Sequence, residues 1–312
     1  MFGAQLIPLG AGLLSALLHL SVLTGSPGAV MFAYFTQLPL AATGLALGFM
    51  PAAVAAAVAS VVVALAGSMG GSLTLFLLIW VLPVLVVVYF SLQNRPGEDG
   101  TTEWYPLGRI LGWLTALSLV IFAVALIAFA GREGGLQGAI KSFLGVYFQP
   151  LTSVDQAAVN RVIHSFTRVF PGAVAASWIT MATINCVLAQ RLVTAAGKNI
   201  RPKPSYRDVE ALIWPAIIAI GGALTILFGG NLRFAGLNTL IIALVPFFFI
   251  GLAVLHSISA AWPGRPLLLA GVYVFLILLL WPAAIVALLG IAEKWTDFRG
   301  RAKASGTNKG ND

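Results

Sequence analysis

Apolar residues run almost unbroken from 29 to 90, in three blocks separated by short Gly, Ser and Pro breaks. The first charged side chain in the sequence is Arg95. A soluble domain needs polar groups on its outer face, whereas a lipid-facing one does not. Runs of roughly 20 apolar residues match the thickness of a bilayer core. They predict spanning helices at 5–24, 29–49, 51–66, 72–90, 107–130, 171–192, 211–228 and 235–260. A ninth run, 267–292, is interrupted at Trp281 and Pro282. The predicted fold is all-α, a polytopic transmembrane bundle of about eight or nine membrane segments.

Between the fifth and sixth predicted helices the pattern changes. Leu136, Ile140, Phe143, Leu144 and Tyr147 follow a helical period, and so do Val159, Val162, Ile163, Phe166 and Phe170. Asp155, Asn160, Arg161, His164 and Arg168 take the wet side of the second segment, and Ser153 with Gln156 has capping-box spacing. Residues 131–169 therefore read as two amphipathic interfacial helices, with a lid over a ligand cavity as the alternative. The expected organisation is one transmembrane domain, 1–293, and a basic, partly disordered tail, 294–312.

Small residues mark faces that can pack closely. Gly12 and Ala16, Gly44 and Gly48, and Ala53 and Ala57 are each four apart, with Ser60 one turn further on. Ala52, Ala56 and Ala59 form the adjacent face of the same predicted helix. In lipid such stripes let backbones approach, either within the bundle or against a second membrane protein.

Composition adds little to the class: 59% of residues are hydrophobic, 9% are charged, and mean hydropathy is +0.96. The net charge of +8 is more informative, because it sits in loops and in the tail beside apolar helices. That placement points to anionic lipid headgroups and not to nucleic acid. Arg191, Lys198, Arg201, Lys203 and Arg207, in a stretch kept extended by Pro202 and Pro204, predict the cytoplasmic side. An inside N-terminus follows, and nine full crossings then leave the basic tail outside, against the charge rule. The first apolar run lacks a basic leader and reads as a retained helix. Cys186 is the one cysteine, which leaves no disulfide framework.

The chemistry is limited by what the sequence lacks. There is no Gly-rich loop ending in Gly-Lys-Ser/Thr and no H-E-x-x-H helix, and the three histidines are scattered. No metal, cofactor or enzymatic activity is expected. The apolar runs hold no carboxylate, which argues against a carboxylate-based proton relay. His19, Gln37, Asn185, Gln190, Asn238 and His256 are polar residues within helices. Each either bonds a neighbouring helix or lines an uncharged cavity. His19, Gln37, Asn185 and Asn238 are the candidate ligand-binding set.

Two stretches resemble known families. The segment LLGIAEKWTDFRGR, with Gly290, Glu293, Trp295, Asp297, Phe298, Arg299 and Arg301, resembles the ending of the YybS-like family of uncharacterised bacterial membrane proteins. LPLAATGLALGFMPAAVAAAVAS and LPVLVVVYFSLQNR resemble the S components of energy-coupling-factor transporters. That likeness implies a Gly/Ala-rich bundle in a bacterial inner membrane that binds a small solute and is energised by partner proteins. The rival expectation is a non-transporting scaffold or assembly factor for envelope proteins. A concave site with converging polar groups would favour the first, and helices packed solid beside an exposed small-residue face the second.

Overall fold

The structure, a computed structural model, describes residues 2–66, 71–148, 155–205, 209–279 and 281–301. Thirteen α-helices and one small hairpin follow one another among them. They are α1 (Phe2–Leu20), α2 (Pro27–Ala33), α3 (Gln37–Leu47), α4 (Phe49–Ala66), α5 (Gly71–Phe76) and α6 (Leu82–Ser91). Strands β1 (Asn94–Pro96) and β2 (Thr102–Trp104) then pair antiparallel. The remaining helices are α7 (Leu107–Phe129), α8 (Gly135–Phe148), α9 (Gln156–Ala195), α10 (Ile213–Thr225), α11 (Gly230–Ile258), α12 (Arg265–Leu278) and α13 (Pro282–Thr296). Seven helical segments among the described residues are long and apolar enough to cross a membrane, and α10 and α12 are shorter apolar helices. The fold is a polytopic helical membrane bundle.

The chain divides into two compact units, 1–114 with 178–205, and 115–177 with 206–312. α7 and α9 each contribute residues to both units.

In the first unit α1, α3 and α4 pack together, with α6 against α3 and α4. Gly12 and Ala16 of α1 are buried, and a Cβ on Gly12 would lie 2.8 Å from Val58 Cβ of α4. A Cβ on Gly44 would come within 2.6 Å of Val88 Cγ1. Gly48 does something else: at φ +104° it ends α3 in a conformation that L-residues rarely adopt. On α4 the buried face is Ala52, Ala55, Ala56, Ala59 and Val63. Ala57 is exposed, and Ala53 and Ser60 are half-buried. Both faces share the same spacing, so only the fold separates them. Ala55→Leu is expected to lower the thermal midpoint of the purified protein, because overpacking a tight contact costs about 1–3 kcal/mol. Ala57→Leu is expected to leave it unchanged, as read by a melt followed by circular dichroism.

The basic stretch after α9 folds back onto this unit. Ile200 N–H donates to Leu45 O at 3.2 Å, and Gln190 Nε2 donates to Arg201 O at 3.2 Å. Arg201 is buried, and its Nη1 donates to Ser91 O, the last carbonyl of α6. A cation at a helix C-terminus offsets the free carbonyls there. Lys198 and Lys203 stay exposed, and Arg207 lies outside the described residues.

In the second unit part of each amphipathic stripe finds protein, while Phe143, Val162 and Phe166 stay exposed. Ile140 and Leu144 of α8 and Val159 and Ile163 of α9 are buried with Phe122, Phe234 and Ile242. The expected separate second interfacial helix is not separate: 156–170 is the first part of the 40-residue α9, which continues through Pro171. An apolar stripe requires only that something cover it, and for these four residues α7 and α11 do. Asp155 Oδ1 accepts from Ala157 N–H at the start of α9. Ser153 lies outside the described residues, as does the tail beyond 301.

Pro171 would normally kink or break a helix, because it lacks an N–H and crowds the preceding turn. Asn238, on α11, repairs the damage. Its Oδ1 accepts from Gly172 N–H at 2.7 Å, and its Nδ2 donates to Arg168 O at 2.9 Å. The carboxamide thus stands in for the bond that residue 172 would have made to residue 168. Asn238→Leu leaves both backbone groups unpaired, at about 1–3 kcal/mol for each. That loss is expected to shrink in the Pro171→Ala background, where the helix can close its own ladder; a double-mutant cycle measures it.

The last apolar run is two helices, parted at Trp281. Val286 lies against Gly251 and Gly290 against Phe247, so α13 runs antiparallel to α11. The C-terminal motif closes this packing. Glu293 is buried, and its carboxylate accepts from Phe298 N–H at 2.9 Å and from Arg299 Nε at 2.6 Å. Arg299 Nη1 in turn donates to Val209 O at 3.0 Å. Asp297 ends α13 at φ +45°, a conformation that Asp tolerates better than most residues, and its Oδ1 accepts from Gly300 N–H. Trp295 and Arg301 are on the exposed side.

Candidate functional site

The interior of the first unit holds two interrupted helices. The first interruption, at 34–36 between α2 and α3, frees backbone carbonyls. Ser15 Oγ, from α1, donates to Thr36 O at 2.8 Å. Asn185 Nδ2, from α9, donates to Tyr34 O at 2.8 Å and to Met181 O at 2.9 Å. The second lies between α5 and α6, where Leu77–Val81 is wound as a π-helix and Leu82 N–H bonds to Leu77 O. Its cause is in the sequence: Pro83 has no N–H to give to Ile79 O, four residues back. Two side chains take that role. Gln37 Nε2 donates to Ile79 O at 3.0 Å and Trp178 Nε1 at 2.8 Å.

These bonds fix which end of each carboxamide is left over. Gln37 and Asn185 both spend their NH2 groups on backbone carbonyls, so their oxygens remain. Gln37 Oε1, Asn185 Oδ1, Thr36 Oγ1 and His19 Nδ1 are buried and have no hydrogen-bond partner among the described residues. The His19 ring sits 4.8 Å from the Phe76 ring and 5.8 Å from the Trp80 ring, centroid to centroid, beside the Ile79 turn. Residues of α1, α3, α5, the π-turn and α9 are thereby linked by one set of bonds and ring contacts. A buried polar atom without a partner costs about 1–3 kcal/mol, so a cluster of them is unusual.

Of the four candidate ligand residues, His19, Gln37 and Asn185 lie in the first unit, each with a buried atom that has no partner among the described residues. Asn238 is in the second unit, with both ends of its amide bonded to backbone. Sequence reading missed Ser15, Thr36 and Trp178. Pro83 is the signal for the last, since it announces an unpaired carbonyl at Ile79. The small hydroxyls gave none. His256, in the second unit, bonds the Tyr273 hydroxyl at 2.9 Å. Among the described residues no group of three His, Cys, Asp or Glu side chains is placed to hold a metal ion.

Chemically the arrangement is uncharged. Its unpartnered atoms are two carboxamide oxygens, a hydroxyl and an imidazole nitrogen. Such a set accepts N–H and O–H donors or a cation, and it contains no carboxylate to relay a proton.

Interrupted helices repaired by polar side chains within an apolar bundle define a multi-pass helical membrane protein. Residues 13–293 match the family described as Predicted membrane protein (DUF2232), and the chain belongs to that family. No curated protein and no solved structure matches it.

Proposed function

We propose that the first unit binds a small, donor-bearing solute in its polar interior. In this reading the protein is a solute-binding uptake subunit of a bacterial inner membrane, energised by partner proteins and not itself an enzyme. The supporting observation is the set of unpartnered acceptors on Gln37, Asn185, Thr36 and His19, gathered at two helix interruptions. Transporters commonly place substrate sites where helices are interrupted, because freed backbone groups and polar side chains converge there. The resemblance to S components of energy-coupling-factor transporters falls on this same unit. The likeness of Gly290 to Arg301 to the YybS-like ending is compatible with the reading but adds no ligand to it. Exposed Lys198 and Lys203 would meet anionic headgroups at the bilayer surface.

Thr36→Val tests the proposal. Thr36 Oγ1 bonds nothing among the described residues, so an isosteric methyl should leave the thermal midpoint unchanged or raise it. Small molecules co-purifying with the wild-type protein, identified by mass spectrometry, should include one rich in N–H or O–H donors. The variant should lose it. An identical small-molecule complement from both proteins would count against the solute reading.

A second reading, a scaffold for other membrane proteins, draws on exposed Ala57, with half-buried Ala53 and Ser60 on the same face. Under it, Ala57→Leu abolishes co-purification of a partner while leaving the isolated protein's melt unchanged.

A further inference from the structure

The polar interior of the first unit is closed. Thr36 and Gln37 are wholly buried and Asn185 nearly so, and their unpartnered oxygens are out of reach of water. Nothing arrives at those atoms unless part of the wall moves. Segment 73–81, the end of α5 with the π-turn, is the part made to do so. Phe76 and Val81 are buried on its inner side, with the Phe76 and Trp80 rings beside His19. Leu75, Leu77 and Leu78 are exposed on its outer side. In a spanning segment an exposed apolar face meets lipid, which yields to an outward swing as a close-packed neighbouring helix would not.

The sequence sets where this segment bends. Pro83, buried in the first turn of α6, leaves Ile79 O without its ladder bond, and the helix is wound as a π-turn over Leu77–Val81. Kinks fall at such proline and π interruptions, and single π-turns are frequent at functional sites. The freed carbonyl also sets what holds the segment shut. Ile79 O accepts from Gln37 Nε2 of α3 at 3.0 Å and from Trp178 Nε1 of α9 at 2.8 Å. One backbone atom therefore ties the segment to two other helices, through two neutral hydrogen bonds of modest net strength.

We infer that segment 73–81 is a gate over the interior of the first unit, hinged at Pro83 and latched by Gln37 and Trp178 on the Ile79 carbonyl. The inference rests on the reading of that interior as a solute site and adds to it the wall that opens.

The test needs no solute. Nitroxide labels are placed on cysteines at Leu75 of the gate and Ile184 of α9, both exposed, with Cys186→Ala removing the native thiol. Double electron–electron resonance on the full-length protein in lipid nanodiscs then reads the distance between them. The latched protein should give one main distance and a minor longer one. Trp178→Phe removes one latch bond and should raise the longer component about fivefold, the equilibrium shift of one neutral hydrogen bond. Gln37→Leu removes the other and should act in the same direction. Pro83→Ala returns an N–H to Ile79 O, so adding it to Trp178→Phe should restore the original distribution. A distribution that neither latch variant changes would overturn the gate. So would a longer component that Pro83→Ala does not reduce, because the bundle would then be loosening as a whole and not bending at the hinge. Either failure leaves the solute reading standing, since the small molecules retained by wild type and Thr36→Val test that separately.

Discussion

Glu293→Ala should destabilise the second unit by about 3–5 kcal/mol, the usual cost of breaking a buried ion pair from one side. The Glu293 side chain is 4% exposed and that of Arg299 17%, so water replaces little of what is lost. Removing the carboxylate takes the ion-pair partner from Arg299 and the acceptor from the backbone N–H groups of Phe298 and Arg299. Arg299→Ala should cost less, because those N–H groups would still hold the carboxylate. The double substitution should cost less than the sum of the two single ones. Unfolding in mixed detergent micelles, followed by far-UV circular dichroism, measures all three. Additive losses would mean that the pair carries no coupling, and the account of the C-terminal motif as a clasp would fail.

A comparable loss is expected at the α11–α13 crossing. A Cβ at Gly290 would strike the Phe247 carbonyl, and one at Gly251 would strike the Val286 carbonyl. The obstacle in both cases is backbone, which cannot swing aside as a side chain can. Gly290→Ala must therefore push α13 away from α11, at a cost at or above the typical 1–3 kcal/mol of overpacking. In a membrane the loss falls directly on association, since van der Waals contact replaces the hydrophobic drive between helices. Gly271→Ala is the matched control, because its Cβ would meet open space. The two variants should separate by several degrees in thermal midpoint and in the recovery of monodisperse protein by gel filtration. Equal behaviour would show that the helices do not meet through Gly290.

The Gly290 to Arg301 motif shows how far sequence reading reaches. Its residues stand out by type and spacing, so the motif was legible, but its work was not. The close contact of Gly290 is with Phe247, and Arg299 reaches Val209, ninety residues away. The polar residues within helices were equally legible and equally ambiguous. Gln37, Asn185 and Asn238 look alike in sequence, as uncharged amides in apolar runs. One repairs the helix beside Pro171, whereas the other two keep an oxygen unspent, and the difference lies wholly in which backbone each meets.

What the sequence by itself determined is what depends on each residue's transfer from water. The membrane class, the approximate spans and the amphipathic stripes are sums of local preferences, and they survive in the fold. The tertiary structure alone decided what covers each stripe. It gave Ile140 and Leu144 of α8 and Val159 and Ile163 of α9 to protein but left Phe143, Val162 and Phe166 exposed, placed Ala55 inward and Ala57 outward, and carried α9 through Pro171 on an amide from α11. Burial free energy is indifferent to whether lipid or another helix does the covering, so no local pattern can encode that choice. The unpartnered acceptors of the first unit are of the same kind, since a missing bond is a property of neighbours and not of the residue that lacks it.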